Sequence, residues 1–95
     1  MLTSKQRSTL RAMSNSLQSV TQIGKNGIND ALIQSLDKTL ESRELIKVTV
    51  LETALISAKE ALEEVAEKLN AEPVLAVGSK FVLYRPSKKD PQIQI

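Results

Sequence analysis

The spacing of apolar and polar residues predicts a helix at the start of the chain. Thr3 or Ser4 can cap this helix, and we expect it to end between residues 14 and 16. Arg7 and Arg11 are four residues apart and share a neighbouring face that should stay in water. The stripe expected to pack on the core occupies positions i, i+3 and i+7 and comprises Leu10, Met13 and Leu17.

Two more helices are predicted further along the chain. Asn29 suits the cap of the second helix, and Asp30 lies in its first turn, where the helix dipole favours an acid. This helix should end near Arg43, and its apolar residues recur every four positions at Ile28, Leu32, Leu36 and Leu40. The third helix should begin between residues 53 and 57 and end near Asn70. Its helically spaced apolar residues are Leu55, Ala58, Leu62, Val65, Ala66 and Leu69.

Four strands are predicted between and after these helices. Residues 19–23 form a short extended stretch, and residues 45–50 are rich in β-branched side chains. Residues 73–77 and 81–84 form two further strands. A two-residue turn that starts at Gly78 can join this last pair into a hairpin.

The predicted order of elements is α-β-α-β-α-β-β, which indicates an α+β fold of the two-layer α/β type. The two strand–helix–strand units favour right-handed crossovers, so both of their helices should cover one face of a four-stranded mixed sheet. The final hairpin should add an antiparallel edge, and the first helix is the natural cover for the other face. We expect one domain over residues 2–87 and a flexible tail over residues 88–95, because Pro86 precedes this segment and Pro91 lies within it among polar residues.

The composition excludes several classes of function. The chain has 95 residues, of which 41% are apolar, so it fits one folded domain with one core. It has no Cys and no His, which removes disulfides, thiolate chemistry and the commonest metal ligand. The absence of an apolar run of signal-peptide or membrane-spanning kind leads us to expect a cytoplasmic protein without a membrane partner.

The net charge of +2 conceals an uneven distribution. Residues 1–29 contain four basic residues and no acid, residues 30–79 contain five bases and ten acids, and residues 80–95 contain four bases and one acid. Two basic ends flanking an acidic middle favour a polyanionic partner if the fold brings the ends together. Ordinary solvated surface charge is the alternative. If the first interpretation holds, the ends should converge on one surface that faces away from Glu60, Glu64 and Glu67.

A glycine loop between the first strand and the second helix is the leading candidate for a binding site. It comprises Gly24, Lys25, Asn26 and Gly27. Glycines allow a sharp turn and a close approach of a ligand to the backbone, and the following helix offers free N–H groups to an anion. The alternative is an ordinary turn entering a helix. The pattern lacks the residues of a nucleotide-triphosphate loop and the third glycine of a dinucleotide fingerprint.

The closing strand carries the remaining candidates. Arg85 suits a bidentate phosphate contact, with a plain surface charge as the alternative. Tyr84 could stack on a base, but a buried ring with its hydroxyl at the rim is favoured. Whether Lys80 contacts a ligand stays open. The glutamates of the third helix fit a solvated face, and no serine or lysine has a partner base, so neither a metal or cofactor site nor an enzyme is expected.

Four segments taken together resemble a known family. They are residues 2–7, residues 23–28, residues 45–48 and residues 77–86. The combination closely resembles the YhbY family of stand-alone CRM domains (chloroplast RNA splicing and ribosome maturation). The resemblance spans roughly residues 2–87, and it implies a fold like that of the C-terminal domain of translation initiation factor 3.

The resemblance also implies RNA binding and, for bacterial members, an association with precursors of the large ribosomal subunit. The G-x-x-G loop of the family corresponds to Gly24, Lys25, Asn26 and Gly27. Its basic positions correspond to Lys5, Arg7, Arg11 and Arg85. Because the third helix is acidic, the RNA surface should lie away from it.

The function expected from these observations is that of a non-enzymatic RNA-binding protein, acting as an assembly factor on large-subunit rRNA. Contacts to the RNA backbone should dominate, because the chain has only two aromatic residues with which to stack bases. The alternative is a protein-interaction module that docks on an acidic partner without touching RNA. A monomer is favoured.

Overall fold

The computed structural model describes residues 2–93 and residue 95, and it contains the predicted order of helices and strands. One element was not predicted, a 3-10 turn at Glu52–Ala54. No described helix has both the length and the apolar character needed to span a membrane. The other elements are α1 (Ser4–Ser14), β1 (Ser19–Ile23), α2 (Asp30–Arg43), β2 (Leu45–Val50), α3 (Ala58–Leu69), β3 (Glu72–Val77) and β4 (Lys80–Tyr84).

Local side-chain caps determine where the helices begin. At α1 the Thr3 hydroxyl accepts the backbone N–H of Gln6, and the Gln6 side chain accepts the N–H of Thr3. The same reciprocal capping box joins Ser57 and Glu60 at the start of α3. The sequence left the start of the third helix between residues 53 and 57, and the capping box places its N-cap at Ser57. Leu55 therefore lies before α3 and not within it.

The four strands form one mixed sheet in the order β1-β2-β4-β3. β1 runs parallel to β2, whereas β4 is antiparallel to both β2 and β3. The mixed sheet is as predicted, and the turn at Gly78, with φ of +59°, makes the final hairpin. The hairpin is inserted with its second strand inward, so β3 forms the edge and β4 lies inside the sheet.

Helices cover both faces of the sheet. The larger core joins α2 and α3 to one face and includes Leu36, Val65 and Phe81. On the other face, Leu10 of α1 packs with Leu45, Val74, Val82 and Tyr84, which confirms α1 as the second cover.

The buried side of α1 differs from the predicted stripe. Leu10 and Ser14 are buried, whereas Met13 remains 39% exposed and Leu17 lies beyond the end of the helix. Leu17 still packs against the core around Leu10, as predicted, from the segment that follows the helix. The prediction was wrong for Met13.

The C-terminal segment lies against the end of α2. Glu44 is 1% exposed, and its carboxylate accepts the backbone N–H groups of Ser87, Gln92 and Ile93 at 2.8, 2.6 and 2.9 Å. Glu41 accepts the Ser87 hydroxyl at 2.6 Å. The mobility of the tail stays a prediction, but the backbone of residues 88–93 folds back and hydrogen-bonds to Glu41 and Glu44. A buried carboxylate needs such donors, and they come from residues more than 40 positions away.

Candidate nucleic-acid interface

The glycine loop forms a closed turn at the carboxyl ends of β1 and β2. The Gly27 N–H donates to the carbonyl of Gly24 at 2.9 Å, and the Leu51 N–H donates to the carbonyl of Ile23 at 2.8 Å. Lys25 and Asn26, at the tip of the turn, are exposed. The structure therefore presents a lysine and an amide on a small backbone projection directly before α2.

The two loop glycines have different structural roles. Gly27 has a φ of +65°, a left-handed backbone conformation that residues other than glycine rarely adopt. Gly24 has no such constraint, and a Cβ there would sit 3.5 Å from Leu51 Cδ1 and from Thr53 Oγ1, an ordinary van der Waals distance. The fold therefore requires glycine at position 27 but tolerates a methyl group at position 24.

The start of α2 leaves backbone donors free beside the loop. The Asn29 side chain accepts the N–H of Leu32 at 2.9 Å. In the described part of the chain, no acceptor takes the amide protons of Lys25 and Asn26. An anion at this position would therefore meet unpaired N–H groups and the positive end of the helix dipole. Asp30, in the first turn, is exposed and moderates the local positive charge.

The basic residues of α1 lie in two different environments. Lys5 and Arg11 are exposed on the side of the sheet opposite α2 and α3. Arg7 was expected on the same wet surface, but it is half-buried at the β3 edge of the sheet. It lines a groove there with Lys59 and Glu63 of α3, and its Nε has no partner. The exposed cations available on α1 are therefore Lys5 and Arg11.

Arg85 stabilises the packing of α2 and α3 against the end of β4. Its Nη1 donates to Asp37 Oδ1 at 2.8 Å and to the carbonyl of Leu69 at 3.0 Å, and its Nη2 donates to the carbonyl of Asp37 at 3.0 Å. The Arg85 side chain is 11% exposed. Both Nη groups are engaged within the protein, whereas the buried Nε has no partner among the described residues, so a phosphate would have to displace the partners of the Nη groups.

The two basic ends of the chain do not converge as predicted. Lys5 and Arg11 lie on the α1 side, whereas Arg85 lies among α2 and α3, and the Lys88 backbone N–H donates to Glu41. Acidic side chains of α2 attract the C-terminal segment, a long-range effect that the net charge of segments does not reveal. The expectation holds for Lys5, Arg11 and Lys80, which lie on the α1 side of the sheet, but not for Arg7 and Arg85, which contact or line surfaces shared with α3.

The acidic face of α3 is solvated, as expected. Glu60, Glu63, Glu64 and Glu67 are all exposed. The hydrogen bonds from the Ser57 backbone N–H and side chain lower the pKa of Glu60, which identifies this carboxylate as a helix cap. Among the described residues no group of three or more acidic side chains is arranged to hold a metal ion.

Tyr84 is 6% exposed and packs with Leu10 and Val82. Burial raises the pKa of its hydroxyl, and the negative charge of Glu44 raises it further. The ring is thus part of the core, as favoured, and is not presented for stacking on a base.

The sequence analysis did not recognise that two lysines lie close together in the folded protein. Lys47 and Lys80 lie on the α1 side of the sheet, in neighbouring strands. Lys47 alternates with the apolar residues Ile46 and Val48, and this alternation already signals a side chain on the face opposite the larger core. What the sequence could not show is that β4 lies next to β2 and brings Lys80 beside it.

Comparison with known proteins agrees with this geometry. The profile of the CRS1 / YhbY (CRM) domain matches residues 2–85. A Bacillus subtilis protein named "Probable RNA-binding protein YqeI" is 37% identical over 95 residues, covering 100% of this chain and 99% of its own length. A Haemophilus influenzae protein named "RNA-binding protein" is 28% identical over 88 residues, which is 93% of this chain and 89% of that protein.

A solved structure is similar over the whole chain. The solution structure of the hypothetical protein SAV1595 from Staphylococcus aureus is 40% identical, with a TM-score of 0.79, and the match covers 100% of this chain and 99% of that chain. The two-layer fold, the glycine loop before α2 and the match over residues 2–85 lead to one conclusion: the chain belongs to the CRS1 / YhbY (CRM) domain family.

Proposed function

We propose that this protein binds RNA through its glycine loop and α1, and that it acts in the cytoplasm as an assembly factor on precursors of the large ribosomal subunit. The observation that carries the proposal is the loop itself. It presents an exposed lysine and the unpaired backbone N–H groups of Lys25 and Asn26, in the turn that precedes α2. The names of the two relatives support RNA as the ligand, and the subunit follows from the family resemblance alone.

The proposed mechanism is recognition of the RNA backbone. A phosphate oxygen accepts the free amide protons of Lys25 and Asn26, while the Lys25 ammonium neutralises its charge. Gly24 lets the sugar–phosphate chain approach the loop closely, which explains a glycine that the fold does not need. Lys5 and Arg11 add charge from α1. No step of this mechanism is catalytic.

Binding to random-sequence single-stranded RNA, followed by fluorescence anisotropy at several salt concentrations, tests the proposal. Each neutralised phosphate on a single strand contributes about −0.7 to the slope of log affinity against log salt. Lys25, Lys5 and Arg11 together should therefore give a slope near −2. Affinity that does not change with salt would contradict backbone recognition.

Crosslinking in cells, followed by sequencing of the attached RNA, tests the ribosomal part of the proposal. We expect enrichment of large-subunit precursor rRNA over other abundant RNAs. A purified assembly that keeps its composition after ribonuclease treatment, with no crosslinked RNA, would instead indicate a module that docks on an acidic protein partner.

A further inference from the structure

A cleft separate from the glycine loop lies between the end of α1 and the sheet. Its volume is about 210 Å³. It opens on the sheet face that α1 only partly covers, and two of its lining residues are lysines. The lining residues are Ser14, Asn15, Lys47, Leu75, Val77, Lys80 and Val82.

The strand register places the two lysines side by side. In the β2–β4 pairing, Lys47 lies opposite Val82 and Thr49 lies opposite Lys80, so the lysines are diagonal neighbours on one face. In the described part of the structure neither ammonium group forms an ion pair or a side-chain hydrogen bond. Neighbouring like charges are unfavourable in a sheet, and here the fold itself provides no counter-charge.

The nearby end of α1 does not neutralise them either. Its last carbonyl groups already accept donors from the chain itself. The Ser14 hydroxyl donates to the Arg11 carbonyl, and the next three carbonyls accept backbone N–H groups. Those three are the Ala12, Met13 and Ser14 carbonyls, paired with Asn15, Ser16 and Leu17 at 3.3, 3.4 and 3.1 Å.

No described acidic side chain lines the cleft, although Glu52 lines a neighbouring groove with Gly78 and Ser79 of the β3–β4 turn. The first 29 residues contain none, and the one acidic residue within the four strands, Glu72, starts β3 at the end opposite Val77. The remaining acids of the domain belong to α2, α3 and the segments that follow them or join them to the sheet. The two lysines therefore form a cationic site on the side of the sheet that carries the fewest acids.

The floor of the cleft is apolar and accessible. Val77 is 63% exposed and Leu75 is partly exposed beside it, whereas Val82 is buried beneath them at 2% exposure. Asn15, at the rim, is exposed and offers both an amide donor and an amide acceptor. The cleft therefore offers three kinds of contact to a nucleotide. The two cations suit its phosphate, the apolar floor suits the face of its base, and the amide suits the hydrogen-bonding edge of the base.

We propose that this cleft binds one nucleotide of a single-stranded RNA: Lys47 and Lys80 contact its phosphate, Val77 and Leu75 contact the face of its base, and Asn15 hydrogen-bonds to its edge. The inference rests on the proposed function and extends it. The cleft and the glycine loop lie on different parts of the surface, so the same strand would cross the α1 side of the sheet to reach both.

The first test removes charge from the cleft and, separately, from the opposite face. The variant Lys47→Gln/Lys80→Gln is compared with Lys59→Gln/Lys68→Gln, which loses the same charge from the exposed surface of α3. The probe is a fluorescein-labelled pool of random-sequence single-stranded RNA. We expect the cleft variant to lose about ten-fold in affinity and its salt slope to fall by about 0.7, the contribution of one phosphate. The control should change less than about two-fold.

The second test removes the apolar contact and leaves the charge in place. We expect Val77→Ser to weaken RNA binding by several-fold without changing the salt slope. Diffuse electrostatic attraction alone cannot produce this result, because it would not depend on an apolar side chain. Urea denaturation verifies that each variant is folded.

Three outcomes would overturn the inference. Equal losses in the cleft variant and the α3 control would exclude the cleft while leaving the glycine loop, and so the proposed function, intact. Displacement of the RNA by micromolar free nucleoside monophosphates would assign the cleft to a small ligand. Failure of the unmodified protein to bind the RNA pool would overturn both the inference and the proposed function.

Discussion

At the scale of single residues, glycine is required at one end of the loop and dispensable for folding at the other. Gly27 has the left-handed φ of +65°, and Gly24 has room for a methyl group. The same residue type thus meets two different local demands within four positions: a left-handed backbone at Gly27, and none of that kind at Gly24. The sequence identified the loop correctly but could not separate these demands, because φ and neighbouring atoms belong to the folded chain.

Alanine at each position distinguishes the two glycines. We expect Gly27→Ala to lower the free energy of unfolding by roughly 1–2 kcal/mol, because a Cβ is strained in the left-handed region. Gly24→Ala should change it by less than about 0.5 kcal/mol while weakening RNA binding. Urea denaturation and fluorescence anisotropy measure the two effects. RNA affinity unchanged in Gly24→Ala would remove the close approach from the mechanism.

Arg85 is a second residue whose role depends on partners far away in the sequence. Its guanidinium joins Asp37 and the Leu69 carbonyl, 48 and 16 positions distant. We expect Arg85→Met to cost about 1–3 kcal/mol of unfolding free energy, since carbonyl groups lose their donors in a partly buried site. Asp37→Asn should cost less than about 1 kcal/mol, because that carboxylate is 56% exposed. Equal stability of Arg85→Met and the unmodified protein would disprove this structural role.

At the scale of elements, local signals predicted most of the fold. The capping residues Thr3, Asn29 and Ser57 are encoded within a few positions of the helices that they start. The order of the strands in the sheet could not be predicted from such local signals. The hydrophobic pattern does not say which strand of a hairpin joins a central strand, so the inward position of β4 emerges only when the whole sheet assembles.

The C-terminal segment also escaped the sequence analysis, although its contacts control a pH response. Burial by itself raises the pKa of Glu44, but the backbone N–H groups of Ser87, Gln92 and Ile93 outweigh it and lower the pKa below the ordinary value. The hydroxyl of Ser87 and the backbone of Lys88 likewise lower the pKa of Glu41. Both carboxylates therefore stabilise the folded state in their charged form.

Because the pKa values of Glu41 and Glu44 are lowered in the folded state, acid should destabilise the attachment of the C-terminal segment. The stabilisation is complete above the ordinary carboxylate pKa of 4.5 and is lost as the pH falls through the lower folded-state values. We expect amide hydrogen exchange at Gln92 and Ile93, corrected for intrinsic rates, to accelerate in that acidic range as the segment detaches. In Glu44→Gln this acid-induced step should shrink. Protection factors that are constant from neutral pH to below 4.5 would contradict the assignment.

At the scale of the whole molecule, the sheet divides the charge of the protein. The net charge of +2 arises from an α1 side rich in bases and an α2/α3 side rich in acids. The pairing of the tail and of Arg85 with α2, and the position of Arg7 beside α3, blur this division. Such a polarised domain is suited to approach a polyanion with one face and to hold its other face away.

Charge reversal on the two faces tests this polarity. We expect Lys5→Glu/Arg11→Glu to reduce the magnitude of the salt slope by about 1.4, which corresponds to two phosphate contacts, and to weaken RNA binding accordingly. Lys59→Glu/Lys68→Glu changes the net charge equally on the acidic side and should have a much smaller effect. If both variants weaken binding to the same extent, net charge and not the orientation of the domain governs association.

The inward position of β4 has a consequence for synthesis on the ribosome. The strand that completes the middle of the sheet, β4, follows every other helix and strand of the domain along the chain, so it is translated after them. Until it emerges, β2 keeps one edge unpaired, and Phe81 and Leu83 are missing from the larger core. We therefore expect native tertiary structure of this domain to form only after β4 has left the exit tunnel, in one late step instead of gradually from α1 onward.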